Sequence, residues 1–334
     1  MKLEGVISKM AERAKKNIKT IALPESEDVR ILKAASIVAF EKIAKIVLIG
    51  NKEEILKKCD IENIKIDHEN IEIIDPILYK EKETYAELLY ELRKGKGMTL
   101  EEAKEKIKDN MYFSTTMAKA GDVDGVVSGA THSTADTLRP ALQIVKAAQG
   151  INSISTFFLM ETDKKELGTD GILLFSDCGL IEFPTKEQLV DITIESAKSY
   201  RMLTGNEPKV ALLSYSTKGS AKSDAIDKMV DVLKLLNEKD LDFDYDGEFQ
   251  LDAALVLEVA KIKAPESKVA GHANVLIFPN LEAGNIAYKM AQRFGDTLAL
   301  GPVTQGLNKP INDLSRGSSV NDIVGTIIIT CLQA

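Results

Sequence analysis

Residues 20–51 contain Thr20-Ile21-Ala22-Leu23-Pro24, then a run from Glu27 to Lys42, then Lys45-Ile46-Val47-Leu48-Ile49-Gly50-Asn51. The outer pieces are short, almost wholly apolar runs closed by turn residues, which is how a strand buried on both faces reads. The middle piece places Val29, Leu32, Ala35, Ala39 and Phe40 at helical spacing. Strand, helix, strand in this order predicts a parallel pair with a helical crossover.

The same alternation continues along the chain. Strands are predicted at 123–127, 154–160, 172–175, 210–213 and 275–278. Helices are predicted near 52–58, 80–93, 99–108, 135–147, 186–203, 221–236, 282–293 and 320–332. Thr99 with Glu102, and Thr185 with Gln188, have the spacing of capping boxes. The Lys/Glu-rich region 52–108 reads as solvated helix faces. The fold class expected is α/β, in two domains, each a three-layer α/β/α arrangement on a mostly parallel sheet. Gly150-Ile151-Asn152-Ser153 and Gly301-Pro302-Val303-Thr304 are the candidate crossing points. They predict a first domain of residues 1–149 plus 304–334, a second of 150–303, and a cleft between them.

Composition narrows the classes. The chain has 334 residues, 44% hydrophobic and 28% charged, with 43 basic against 51 acidic residues for a net charge of −8. This is a globular composition, and an acidic balance argues against nucleic acid as a partner. No apolar run approaches ~18 residues, so no membrane span is expected. Cys59, Cys178 and Cys331 are far apart and odd in number, as in a reducing compartment. Met1-Lys2-Leu3-Glu4-Gly5 lacks the apolar stretch of a signal peptide, so a cytoplasmic address is expected.

Only seven of the basic residues are arginine: Arg13, Arg30, Arg93, Arg139, Arg201, Arg293 and Arg316. Arg grips carboxylate or phosphate bidentately and Lys cannot, so each is worth inspecting. Several strands are followed by loops rich in small residues: Ser128-Gly129-Ala130-Thr131-His132-Ser133-Thr134, residues 214–223, 270–274 and 283–285, and Ser315-Arg316-Gly317-Ser318-Ser319. In open α/β sheets ligands bind beyond the carboxyl ends of strands, and such loops let backbone N–H groups approach an anion. Ser128 and Thr131 are substrate-binding candidates on this ground. The Walker pattern, GxGxxG, GxSxG and metal-ligand spacings are not found. His132 stands between a ligand contact and a structural role. Cys178 reads as a buried, inert thiol.

The densest constellation is Asp313-Leu314-Ser315-Arg316-Gly317-Ser318-Ser319-Val320-Asn321-Asp322. One reading is purely structural, with Ser319 and Asp322 capping a helix whose dipole favours an acidic first turn. The other makes Ser315, Arg316 and Asp322 a catalytic group. Spacing leaves both open.

Four stretches together resemble the phosphate acetyltransferase (phosphotransacetylase) family. They are residues 121–140 (Gly121-Asp122-Val123-Asp124-Gly125 through Leu138-Arg139-Pro140), Ser216-Thr217-Lys218-Gly219-Ser220-Ala221-Lys222, Ala273-Asn274-Val275-Leu276-Ile277-Phe278-Pro279, and Ser315-Arg316-Gly317. The resemblance covers almost the whole chain, in the family's short form. It implies reversible transfer of an acetyl group between coenzyme A and phosphate, by direct thiolate attack in a ternary complex. It also implies a two-domain fold like that of isocitrate and isopropylmalate dehydrogenases, and a homodimer. By the same resemblance Asp322 is the general base for the thiol, Arg316 binds the phosphoryl group or the developing carbonyl charge, and Ser315 donates to the same centre. Arg93 and Arg139 become further contacts to anionic substrate, leaving four arginines for ordinary roles. No metal or cofactor is implied, because coenzyme A and acetyl phosphate are themselves the substrates. The alternatives are a butyryl-transferring relative, a non-catalytic acetyl-CoA sensor, and a metal- and nicotinamide-dependent decarboxylating dehydrogenase, whose carboxylate cluster is not evident.

Overall fold

The structure, a computed structural model, describes residues 4–334. Its strands are β1 Thr20–Leu23, β2 Lys45–Ile49, β3 Ile71–Ile74, β4 Gly125–Ser128, β5 Ser155–Glu161, β6 Ile172–Ser176, β7 Lys209–Leu213, β8 Asp244–Phe249, β9 Val275–Ile277, β10 Leu298–Gln305 and β11 Ile311–Asp313. The chain divides into two compact units. One comprises the residues up to Gln149 together with Leu307–Ala334, the other Gly150–Gly306.

The first unit holds a sheet of order β11-β4-β1-β2-β3, parallel throughout. Alternation along each strand sends side chains to opposite faces. Ala22, Val47, Ile49 and Val126 face a core built with Tyr85, Leu89, Phe113 and Ile144. On the opposite face Gly125 lets the last helix, Val320–Gln333, come close. A Cβ at Gly125 would stand 2.6 Å from the Thr330 methyl. That approach fixes where the helix begins, and so where Asp322 stands.

The second unit holds a mixed sheet of order β10-β5-β6-β9-β7-β8. Its β10–β5 and β5–β6 pairs are antiparallel and the remaining pairs parallel. Phe158, Met160, Leu173, Phe175 and Phe249 pack with Ala254, Ala260 and Tyr288 from the helices on one face.

The expected α/β class with mostly parallel sheets is what the chain forms. Four strands escaped the pattern. β3 lies in the stretch read as helix faces, and β8 is Asp244-Tyr245-Asp246-Gly247-Glu248-Phe249, too polar to read as an apolar run. β10 is interrupted by Gly301-Pro302, and β11 is only three residues long. The helices Gly5–Ala14, Asn110–Ala120, Leu251–Leu255 and Leu257–Lys263 were missed as well. The helix expected over 135–147 instead runs Thr134–Pro140 and opens into a wide π turn over Ala141–Val145. Pro140 offers no N–H and crowds the carbonyl four residues back, so the ladder widens there.

Candidate active site

Because β11, β4 and β1 are neighbours, their carboxyl ends bring three loops together. These follow Leu23, Ser128 and Asp313. Asp313 and Ser128 are register partners.

Glu25, just after β1, is wholly buried. Its carboxylate accepts from the main-chain N–H groups of Ala130 (2.8 Å), Thr131 (2.9 Å) and His132 (2.9 Å). It also takes the Thr131 hydroxyl (2.9 Å) and pairs with His132 Nδ1 (2.7 Å). Burial opposes ionisation, yet these donors outweigh it and hold Glu25 below the usual carboxylate range. Burial likewise works against a charged His132, and its bond to Glu25 overcomes this and raises the imidazole.

Three N–H groups of the 128–134 loop are aimed at the protein's own carboxylate. Ser128 is buried at the floor and serves through its carbonyl, which accepts from Leu314 N–H at 2.6 Å. The Thr131 hydroxyl faces Glu25, with Glu27 at 3.2 Å.

Gly129 shows how close the loops lie. It has φ +106, and a Cβ there would fall 2.3 Å from Asp313 Oδ1 and 2.5 Å from Leu314 N. Only glycine adopts that backbone and leaves that space.

Beyond Asp313 the chain makes a tight turn. Ser318 N–H donates to the Ser315 carbonyl (2.8 Å), Ser315 N–H to Ser318 Oγ (3.1 Å), and Gly317 N–H to Ser315 Oγ (3.2 Å). Arg30 grips this turn from outside. Its Nη1 donates to the carbonyls of Arg316 (2.9 Å) and Ser318 (2.8 Å), and its Nη2 to that of Ala130 (3.0 Å). The side chains of Ser315 and Arg316 are exposed.

Asp322 is in the first turn of Val320–Gln333 and completes a capping box. Its Oδ2 accepts from Ser319 N–H (2.8 Å) and Ser319 Oγ–H (2.8 Å). The structural reading of Asp322 is therefore real. It occupies one oxygen and leaves Oδ1 outside the cap, so capping does not use up the carboxylate.

Asp313 lies beneath both loops. It is buried, and among the described residues neither of its oxygens has a hydrogen-bond partner, nor do the hydroxyls of Ser128 and Thr137. Burial pushes its pKa up to about 6.

The two remaining arginine candidates stand apart in bonding. Arg139 pairs with Asp136 at 3.3 Å and is otherwise exposed. Arg93 ends the helix Lys82–Arg93, its buried Nε without a partner. No hydrogen bond ties either to the 315–322 loop among the described residues. Cys178 is buried, and burial pushes its thiol well up, as suits an inert residue.

Sequence reasoning missed Glu25, Arg30 and Asp313. A signal existed for two. Glu25 is the first polar residue after an apolar strand and its proline, and Arg30 is one of seven arginines in a lysine-rich chain.

The loops at the carboxyl ends of this parallel sheet thus carry an exposed arginine and, at the start of the next helix, a carboxylate with one oxygen outside its cap. Residues 5–331 match the family described as phosphate acetyl/butaryl transferase. The phosphate acetyltransferase of Acetivibrio thermocellus is 52% identical over 98% of this chain and 98% of its own. A phosphotransacetylase crystal structure from Streptococcus pyogenes superposes with a TM-score of 0.90 at 41% identity, covering 100% of this chain and 99% of that one. A putative 4-hydroxythreonine-4-phosphate dehydrogenase from Salmonella typhimurium gives 0.56 at 13% identity, covering 95% and 100%. That likeness concerns fold alone and agrees with the dehydrogenase-like architecture. The chain belongs to the phosphate acetyl/butaryl transferase family. Its activity is phosphate acetyl transfer, ahead of the butyryl, sensor and dehydrogenase alternatives.

Proposed function

We propose that Asp322, Arg316 and Ser315 carry out this transfer by direct attack of the coenzyme A thiol on acetyl phosphate. The sulfur–carbonyl bond forms, the carbonyl–phosphate oxygen bond breaks, phosphate leaves, and the thiol proton passes to Asp322. The observation that carries this reading is the contrast within one turn. Its main chain is pinned, while the Arg316 guanidinium and Asp322 Oδ1 make no hydrogen bond among the described residues and the exposed Ser315 Oγ, which accepts from Gly317 N–H, keeps its own O–H to donate.

A thiol of pKa ~8.5 is a weak acid toward an aspartate of ~3.9, a gap of roughly 6 kcal/mol at ~1.36 per unit. Transfer is therefore concerted with attack, and two features lower its cost. The N-terminus of Val320–Gln333 favours the developing thiolate. Arg316 and Ser315 stabilise the charge that grows on the carbonyl and phosphoryl oxygens. Arg93 and Arg139 bind phosphate groups of coenzyme A or acetyl phosphate. Acetyl phosphate is already activated, so no resident metal or cofactor is required.

The protein acts as a cytoplasmic homodimer. Three free, buried cysteines support the address. The exposed stripe Ile286, Met290 and Phe294 on the helix Leu281–Phe294, 58%, 53% and 85% accessible, supports self-association.

The test is thioester formation from coenzyme A and acetyl phosphate with a chelator present, butyryl phosphate in parallel, and sedimentation of the same preparation. Rapid acetyl transfer by a dimer, slower with the butyryl donor, is expected. No thioester from either donor would remove the reading.

A further inference from the structure

Arg30 lies in the first turn of the helix Val29–Phe40, a different element from the loop and helix that carry the groups assigned to the reaction. Every N–H of its guanidinium is committed. Nε spans Asp28 Oδ1 (3.0 Å) and Oδ2 (3.2 Å), and Nη2 takes Oδ2 at 2.6 Å and the Ala130 carbonyl. Nη1 takes the carbonyls of Arg316 and Ser318. With all five donors used, Arg30 has nothing left for a ligand. What it holds is the main chain on either side of Gly317. Those peptides aim the Arg316 side chain and lead into Ser319, which caps against Asp322. Through Ala130 the same guanidinium is tied to the loop that Glu25 clamps.

We infer that Arg30 is a positioning residue for acetyl transfer. Anchored by the Asp28 fork, it fixes Arg316 relative to Asp322 and thereby the rate of the chemical step. This rests on Arg316 and Asp322 being the reacting groups. Lysine keeps the charge at this position but cannot span a carboxylate and three carbonyls at once. A shift near 1 Å in a catalytic group costs on the order of 100-fold. Arg30→Lys therefore lowers kcat by ~30–100-fold and leaves KM for both substrates within ~3-fold, since no substrate contact is lost.

The decisive readout is coupling. In an Arg316→Ala background the group being aimed is gone, so adding Arg30→Lys costs under ~3-fold. Free guanidinium restores part of the turnover of Arg30→Ala. Thermal melting accompanies each variant, and Asp28→Asn, which loosens the fork but leaves the loop bonds, replaces Arg30→Lys if that variant does not fold. A folded Arg30→Lys with parental kcat, or an equal loss in both backgrounds, overturns the assignment of Arg30 alone. Parental turnover by Arg316→Ala overturns the reading of the site as well.

Discussion

Two loops at one sheet edge, 129–133 and 314–319, look alike in sequence and are built in opposite ways. In the first, side chains and main chain alike turn inward onto Glu25, whose carboxylate is wholly buried. In the second, Arg30 and the Ser128 carbonyl hold the main chain, the serine hydroxyls brace the turn from within, and the Ser315 and Arg316 side chains stay exposed. The first loop already contains its anion, and the second leaves the Arg316 guanidinium exposed, as the proposed role in binding an anionic substrate needs. A Gly/Ser/Thr-rich loop after a strand thus marks a place where N–H groups are concentrated, without saying whose charge they meet.

The contrast is easiest to break at Arg316. Arg316→Gln removes an exposed guanidinium that forms no hydrogen bond or ion pair among the described residues, so stability holds while kcat falls by ~10²–10³. Steady-state kinetics beside a melting curve checks this. A variant that loses stability instead would make the second loop as structural as the first.

Asp313, where the two loops meet, gives a smaller effect that reads out in stability. Its carboxyl is raised from 3.8 to about 6 by burial. Between those values the folded protein holds a proton that the unfolded chain has lost, so stability falls as pH rises through about 6. The shift of about two units corresponds to roughly 3 kcal/mol. Asp313→Asn should therefore be more stable than the parent at pH 8 by up to roughly 3 kcal/mol, with the gain fading toward pH 4. Denaturant unfolding at both pH values measures it. An equal effect at both would show that Asp313 is partnered and neutral to ionisation.

Much of this architecture was legible because its strands are short apolar runs between helical periods. β1 and β2 came out with their observed bounds. β8 did not, because Asp244, Asp246 and Glu248 break the apolar run. At the site, Ser315, Arg316 and Asp322 stood out through one dense segment. The supports did not, since Glu25 and Arg30 act on residues about 100 and 290 positions away, and no local spacing records that. The capping box at Ser319 was legible but ambiguous, because one carboxylate has two oxygens and sequence cannot apportion them.

Asp322→Asn, measured for both kcat and unfolding midpoint, tests the central claim most directly. At this first-turn position the asparagine carbonyl can still accept from Ser319 N–H and only the charge facing the helix dipole is lost, so the fold should lose no more than about 1 kcal/mol. The amide cannot accept the thiol proton, so kcat should fall by ~10²–10⁴. A rate within a few-fold of the parent, with the fold intact, would contradict the account and leave the cap as the whole of what Asp322 does.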